Sequence, residues 1–518
     1  MEQLPSEIIL IIFEFCAFID HISFKSINRY FQKTYHVLDF SRIPIKYRVK
    51  LSNQIIQLHP HCRYLTLSNN LKINDINHLT NLIGLKAKGK CGIDQKGIQK
   101  LSQISILDIS RNLKINDVNH LTNLKYFNAN RNPSITQQGI SDIIRLETLI
   151  IRDNQKIKNI NHLTNLKHLE ISDTNIKQKG ISNLTRLQIL GLNYNLYIND
   201  LSPFNYLQIL KASGPCGIKQ QQILNLTQLT KLYVRNNREI NDVNHLTNLK
   251  ILSAVGFCGI KQDGISKLTQ LTKLFVGQNP EINDINNFTN LKILDAGGPS
   301  GIKQDGIFKL VQLTHLYVSD NSQINDVNHL INLTILDAGW RSGIKQTGIS
   351  TLTHLTELYV CSNPQINDVN HLTNLTILHA DGRSGIKQTG IATLTQLIQL
   401  SASSNREIYS VNHLPNLKIL LAGDICGIHQ NGITNIFKLN SLNVDGNSQI
   451  TDVNHFKNLH YLDASYNSGI SIDSISKLSQ LYQLHITDST QDDIYKLTNL
   501  QYLNLGGNDY NFTKWTSF

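Results

Sequence analysis

Ile240-Asn241-Asp242-Val243-Asn244-His245-Leu246 decides how this chain folds, because the chain writes it again and again. The same seven letters begin at Ile115, Ile324 and Ile366, and close variants begin at Ile73, Ile157, Ile198, Ile282, Ile408 and Ile450. Successive starts are 42 residues apart, with a single step of 41. A fixed period of this length marks a chain that grows by stacking similar units. Stacking also explains how 518 residues can fold without one large globular core.

Each 42-residue unit holds two leucine patterns. Leu229, Leu232, Val234, Asn237, Ile240 and Leu246 follow L-x-x-L-x-L-x-x-N, and Leu249, Leu252, Ala254, Ile260, Ile265, Leu268 and Leu271 repeat it with a longer return. The central leucines Leu232 and Leu252 are 20 residues apart and the next step, to Leu274, is 22. Counting this position from Leu65 to Leu503 gives 22 coils. The pattern resembles the leucine-rich-repeat family, which implies an α/β solenoid, a horseshoe whose concave face is a parallel sheet. The resemblance covers about residues 65–505. Residues 36–64 read as a divergent first coil, with Leu38-Asp39-Phe40 as a strand and Leu51, Ile55 and Leu58 lining a longer return helix. Asn237 and its equivalents from Asn70 to Asn447 fall where the family buries an asparagine ladder. The alternate coils carry Phe257, Pro299, Arg341 or Arg383 there, and the sequence offers no account of how those turns are satisfied. Residues 506–518 are expected to cap the last coil through Tyr510, Phe512 and Trp515, or to form a tail.

Residues 1–35 stand outside the repeat. Leu4-Pro5-Ser6-Glu7-Ile8-Ile9, then Ile12-Phe13, Ile19-Asp20-His21-Ile22 and Ile27-Asn28-Arg29-Tyr30-Phe31 resemble the F-box, a three-helix motif that docks on the Skp adaptor of cullin-RING ubiquitin ligases. That resemblance implies that Leu4, Pro5, Ile8, Ile9 and Ile12 touch the adaptor, although Cys16-Ala17-Phe18 in the first bend departs from many members. An amphipathic helical cap on the solenoid would have the same apolar content. An F-box ahead of leucine-rich repeats resembles substrate receptors of ubiquitin ligases. The richness in Ile, Asn and Lys and the near-identical units resemble F-box repeat proteins of large amoeba-infecting DNA viruses.

Composition narrows the remaining classes. Hydrophobic residues make up 40% and charged residues 17%, enough apolar surface for a continuous core. No basic region precedes the apolar run Ile8 to Phe13, and Glu14 interrupts it, so neither a secretory signal nor a membrane span is expected. The expected location is the cytoplasm or nucleus. Seven cysteines, odd in number and without a Cys-x-x-Cys pair, are expected to be reduced thiols. The histidines at His120, His245, His371 and equivalent sites would stand about 10 Å apart in alternate coils, too far to share an ion, so no metal or other cofactor is expected. No nucleophile elbow, Walker loop or zinc-protease motif stands out from the repeat, so no enzyme is expected. The net charge of +11 raises a nucleic-acid reading, but the lysines at Lys219, Lys261 and Lys303 are dispersed along the return side with the Asp242 column beside them, which argues for a solvated mixed face.

The strand residue between the two buried apolar positions must point outward. In order these are Tyr233, Ser253, Phe275, Asp295, Tyr317, Asp337, Tyr359 and His379, aromatic alternating with polar at about 5 Å. Exposed aromatics ringed by hydrogen-bonding groups suit a protein target. The row Tyr233, Phe275, Asp295, Tyr317, Asp337, Tyr359 and His379 is therefore the expected target-binding site.

Overall fold

The computed structural model describes residues 38–41 and 51–487, residues 497, 500 and 502–505, and the backbone of 508–511. The F-box-like residues Leu4, Pro5, Ile8, Ile9 and Ile12 lie outside the described residues, as do Phe512 and Trp515. Among the described residues no helix is long and apolar enough to cross a membrane.

The repeat leucines drive the architecture. Lys231-Leu232-Tyr233 forms a three-residue strand whose central leucine is fully buried and whose flanking side chains are half-buried. It pairs in parallel with Ile251-Leu252-Ser253, leucine beside leucine. Every strand leucine from Leu65 to Leu503 sits in such a strand, with Phe127 taking the leucine's place in one of them. The result is a leucine-rich-repeat solenoid with a parallel sheet along one side and few helices. The chain divides into two compact units, Met1–Leu207 and Gln208–Phe518. Among the described residues the first holds eight parallel strands, β1 (Asp39–Phe40) to β8 (Ile189–Gly191). The described residues of the second form fifteen parallel strands, β9 (Ile209–Lys211) to β23 (Tyr502–Leu505), and a further strand, β24 (Asn508–Asn511), antiparallel to β23. Residues 508–511 thus close the sheet edge by backbone pairing.

The 20- and 22-residue coils differ in their return. In the longer coil Gln262–Gly264 makes a one-turn 3-10 helix. A side chain at Gly264 would run into the Asn241 carbonyl of the preceding coil, which is why this position is glycine in unit after unit. The divergent first coil has the expected strand, since Asp39 and Phe40 pair with Tyr64 and Leu65. Its helix, Asn53–Gln57, presents a different face from the expected one: Leu51 and Ile56 are buried, whereas Ile55 and Leu58 are 38% and 62% exposed. A helix this short can turn only one residue fully inward, and the helical register selects Ile56.

The asparagine ladder is in place. Asn237 Nδ2 donates to the carbonyls of Ala212 and Ile218 at 3.0 and 3.2 Å, and its Oδ1 accepts from the Glu239 N–H at 2.9 Å. The alternate coils solve the same turn otherwise. Gly256 adopts φ +73°, and the next buried position is Cys91, Cys216, Cys258 or Cys426 in some coils and Ser300, Ser342 or Ser384 in others. Ser300 Oγ accepts from the Ile302 N–H at 3.2 Å, and Cys426 Sγ accepts from Ile428 at 3.4 Å. Four of the cysteines are therefore turn residues, exchangeable with serine. Burial pushes Cys258 and Cys426 up to about 11, which keeps both as thiols.

Candidate functional site

Of the polar letters of the heptapeptide, Asn244 and His245 make bonds between coils, whereas Asp242 serves its own turn. Asp242 Oδ1 accepts from the Asn244 N–H at 2.9 Å and caps the turn. Asn244 Nδ2 donates to the Asp263 carbonyl at 2.6 Å, while Asn248 Nδ2 donates to Thr227 at 3.0 Å. His245 Nε2 donates to the Ile223 carbonyl at 3.1 Å, and His120, His162, His371 and His413 repeat that bond 22 residues back. Since a carbonyl only accepts, Nε2 carries the proton. A glutamine column adds to these: Gln262 Oε1 accepts from the N–H groups of Asn283 and Asp284, and its Nε2 donates to the Asp284 carbonyl at 2.7 Å. The sequence signal for this column is its recurrence from Gln95 to Gln430, ending at Ile472. Lys219 and Lys261 pair with Glu239 and Glu281 of the next coil at 3.6 and 3.3 Å, so their partners are those glutamates and the Asp242 column faces its own turn.

The sheet face of the second unit carries the expected row. Tyr233, Ser253, Phe275, Asp295, Tyr317, Asp337, Tyr359 and His379 are successive register partners, and all are half-buried. The row is less open than alternation alone suggests, since every member is half-buried. Desolvation raises the carboxyls of Asp295 and Asp337 above the ordinary carboxylate range, against the opposing hydrogen bonds from Gly297 and Gly339 N–H, each 3.1 Å. Tyr359 donates its hydroxyl to Glu357 Oε2 at 2.9 Å, and burial together with that acid pushes the phenol up to about 12. The Tyr359 and His379 rings lie 4.8 Å apart, and burial lowers the His379 imidazole pKa, favouring its neutral form. Lys231, Arg235 and Lys273 flank one end of the row, while Asp295, Asp337, Glu357 and Asp381 gather toward the other.

Asp381 was not among the expected residues. It follows His379 by two on the same face and brings Cys361 of the preceding coil into a cluster: one ligand-type atom each of Cys361, His379 and Asp381 lies within 4.8 Å of the others. Burial first, then the Asp381 charge, pushes the Cys361 thiol up to about 12. In the first unit Glu170 is buried, with Arg152 at 3.2 Å and His168 at 3.3 Å. Gly191 on the neighbouring strand leaves the room its carboxylate occupies.

No protein-family model and no curated protein sequence matches the chain. Solved structures similar to it include an internalin (inlF) from Listeria monocytogenes, 22% identical over 67% of this chain and 87% of that one, with a TM-score of 0.32. The functional domain of InlJ from Listeria monocytogenes, described as including a cysteine ladder, is 23% identical over 72% of each chain, with a TM-score of 0.33. TLR13 in its complex with ssRNA13 is 18% identical over 89% of this chain and 90% of that one, with a TM-score of 0.46. Each is a similarity of chain path at low identity.

Proposed function

We propose that this chain is a protein-binding adaptor that holds its target on the solvent face of the second unit's sheet. One observation carries the reading: Phe275, Asp295, Tyr317, Asp337 and Tyr359 stand side by side in register, aromatic against acid. Rigid aromatic anchors beside hydrogen-bonding groups are what a hot spot needs. The acids sit in a chain whose net charge is +11, so this face favours a basic patch on the target. The finer reading adds the F-box resemblance of residues 1–35. On it the protein is the substrate-recognition subunit of a Skp-cullin-F-box ubiquitin ligase, and it raises the local concentration of target lysines without supplying chemistry.

Proximity labelling identifies the target, and co-purification with a Skp adaptor tests the finer reading. Adaptor capture lost in the Leu4→Ala, Pro5→Ala, Ile8→Ala triple variant, with the repeats still folded, supports the ligase role. Target binding without any adaptor capture leaves a leucine-rich-repeat scaffold. Binding to nucleic acid that is tight and collapses in 0.5 M salt, roughly the range where surface electrostatics are screened, overturns the protein-target reading.

A further inference from the structure

Cys361, His379 and Asp381 occupy two neighbouring coils. The Tyr359–His379 register pair places Cys361 opposite Asp381, and His379 and Asp381, two residues apart along one chain segment, face the same side. What singles the cluster out is how its members are held from behind. Asp381 Oδ1 accepts from the Ser401 hydroxyl and from the Ser403 N–H at 2.9 Å, which fixes the carboxylate. Its other oxygen, Oδ2, is left facing Cys361 Sγ at 3.1 Å and His379 Nδ1 at 4.0 Å. On the far side of the imidazole, Nε2 lies 2.9 Å from Gln399 Nε2, which donates to it in this amide orientation, and Tyr359 packs against the ring. Rotating the Gln399 amide by half a turn exchanges its nitrogen for its oxygen at the same place, and the oxygen then accepts from Nε2–H and frees the Nδ1 lone pair for the cluster. Side chains oriented from behind in this manner are characteristic of ligands around a metal ion.

The repeat supplies a second, independent argument. Between the unit containing Cys361 and its predecessor, the return segment Gly343-Ile344-Lys345-Gln346-Thr347-Gly348-Ile349 is copied letter for letter at 385–391. Yet the three positions of the cluster read Ser319, Asp337 and Gly339 one unit earlier, and Ser403, Leu421 and Gly423 one unit later. The three departures coincide in one unit and converge in space.

We propose that Cys361 Sγ, His379 Nδ1 and Asp381 Oδ2 form a three-ligand site for a Zn2+-like divalent transition-metal ion, with the fourth position open to solvent on the sheet face. Thiolate, imidazole and a single carboxylate oxygen are ligands that such an ion accepts in tetrahedral geometry. Bonds of about 2.0 to 2.3 Å place tetrahedral ligand atoms roughly 3.3 to 3.8 Å apart, so the cluster needs adjustments of about 1 Å or less. Forming the metal–sulfur bond displaces the proton that Cys361 shares with Asp381, and one proton per ion passes to solvent. The site stands whatever the face binds, since its ligands all come from this chain.

The test is titration of the untagged, reduced, full-length protein with Co2+, followed by displacement with Zn2+. The expected result is one tight equivalent with a thiolate-to-cobalt charge-transfer band and visible bands of tetrahedral type. Cys361→Ser should abolish the charge-transfer band, and Asp381→Gly, which removes a direct ligand, should weaken binding by more than the roughly 10- to 100-fold that loss of an outer-shell partner costs. Both substitutions install a residue that a neighbouring unit already carries, so each should fold. Thermal melts check this, and at equal Zn2+ the melting temperature should rise more in the parent than in either variant. A parent without the band, or a band and affinity unchanged in either folded variant, overturns the proposal. The other cysteines and histidines remain in every variant and would betray themselves in that second outcome.

Discussion

Asp337 and Tyr359 are register partners on adjacent parallel strands, and Tyr317 is the register partner of Asp337 on its other side. Burial at this position takes more from the charged carboxylate than the Gly339 N–H gives back, and the Asp295 charge adds to the effect. The raised carboxyl therefore has a predictable effect on stability. A carboxyl whose folded pKa exceeds the unfolded 3.8 contributes its stability below that value and loses it as pH rises through the folded one. Asp337→Asn should raise the melting temperature at pH 7, and the gain should disappear by about pH 4. Calorimetry of parent and variant across that range decides it. An increment independent of pH would mean the carboxylate is not desolvated in solution.

The binding row and the core should separate cleanly. Tyr317 is half-buried on the face and Leu316 is fully buried behind it. Leu316→Ala should cost roughly 2 to 5 kcal/mol, while Tyr317→Ala should change stability by less than about 1 kcal/mol and lower target affinity. If Tyr317→Ala melts normally and binds the target as the parent does, the row is a by-product of duplication.

Two ladders with similar numbers of bonds should differ in worth. Asn321 Nδ2 donates to Ala296 and Ile302 and its Oδ1 accepts from Gln323, all around a buried side chain. Gln304 also makes three bonds, to Asn325 and Asp326, but at the exposed return side. Asn321→Ala should cost roughly 2 to 4 kcal/mol because buried backbone groups lose their partners, whereas water can replace Gln304 for about 1 kcal/mol or less. Equal losses in denaturant titrations would contradict this ranking.

Trp340 occupies a left-handed turn at φ +54°, where Gly298 and Gly382 of neighbouring units sit at +65° and +64°. Its side chain is 60% exposed, so little packing offsets the backbone strain. Trp340→Gly should leave the melting temperature unchanged or raise it slightly. A loss of target affinity in the same variant would add Trp340 to the binding face, and a clear drop in melting temperature would show that the indole packs after all.

The sequence by itself determined the repeat, the position of all 22 strands from Leu65 to Leu503, the asparagine ladder and the outward row from Tyr233 to His379. These follow from periodicity, because a residue's place within its own coil fixes whether it points in or out. The tertiary structure decided what lies between coils. Whether His245 meets a metal or the Ile223 carbonyl, whether Ile55 or Ile56 turns inward, and how far Asp295 and Asp337 lose their water depend on register and volume contributed from some 20 residues away. Cys361 and Asp381 are the sharpest case. Each is one position beyond the leucine pattern, where the coil alone assigns no role, and only the pairing of their two strands brings thiol, imidazole and carboxylate together.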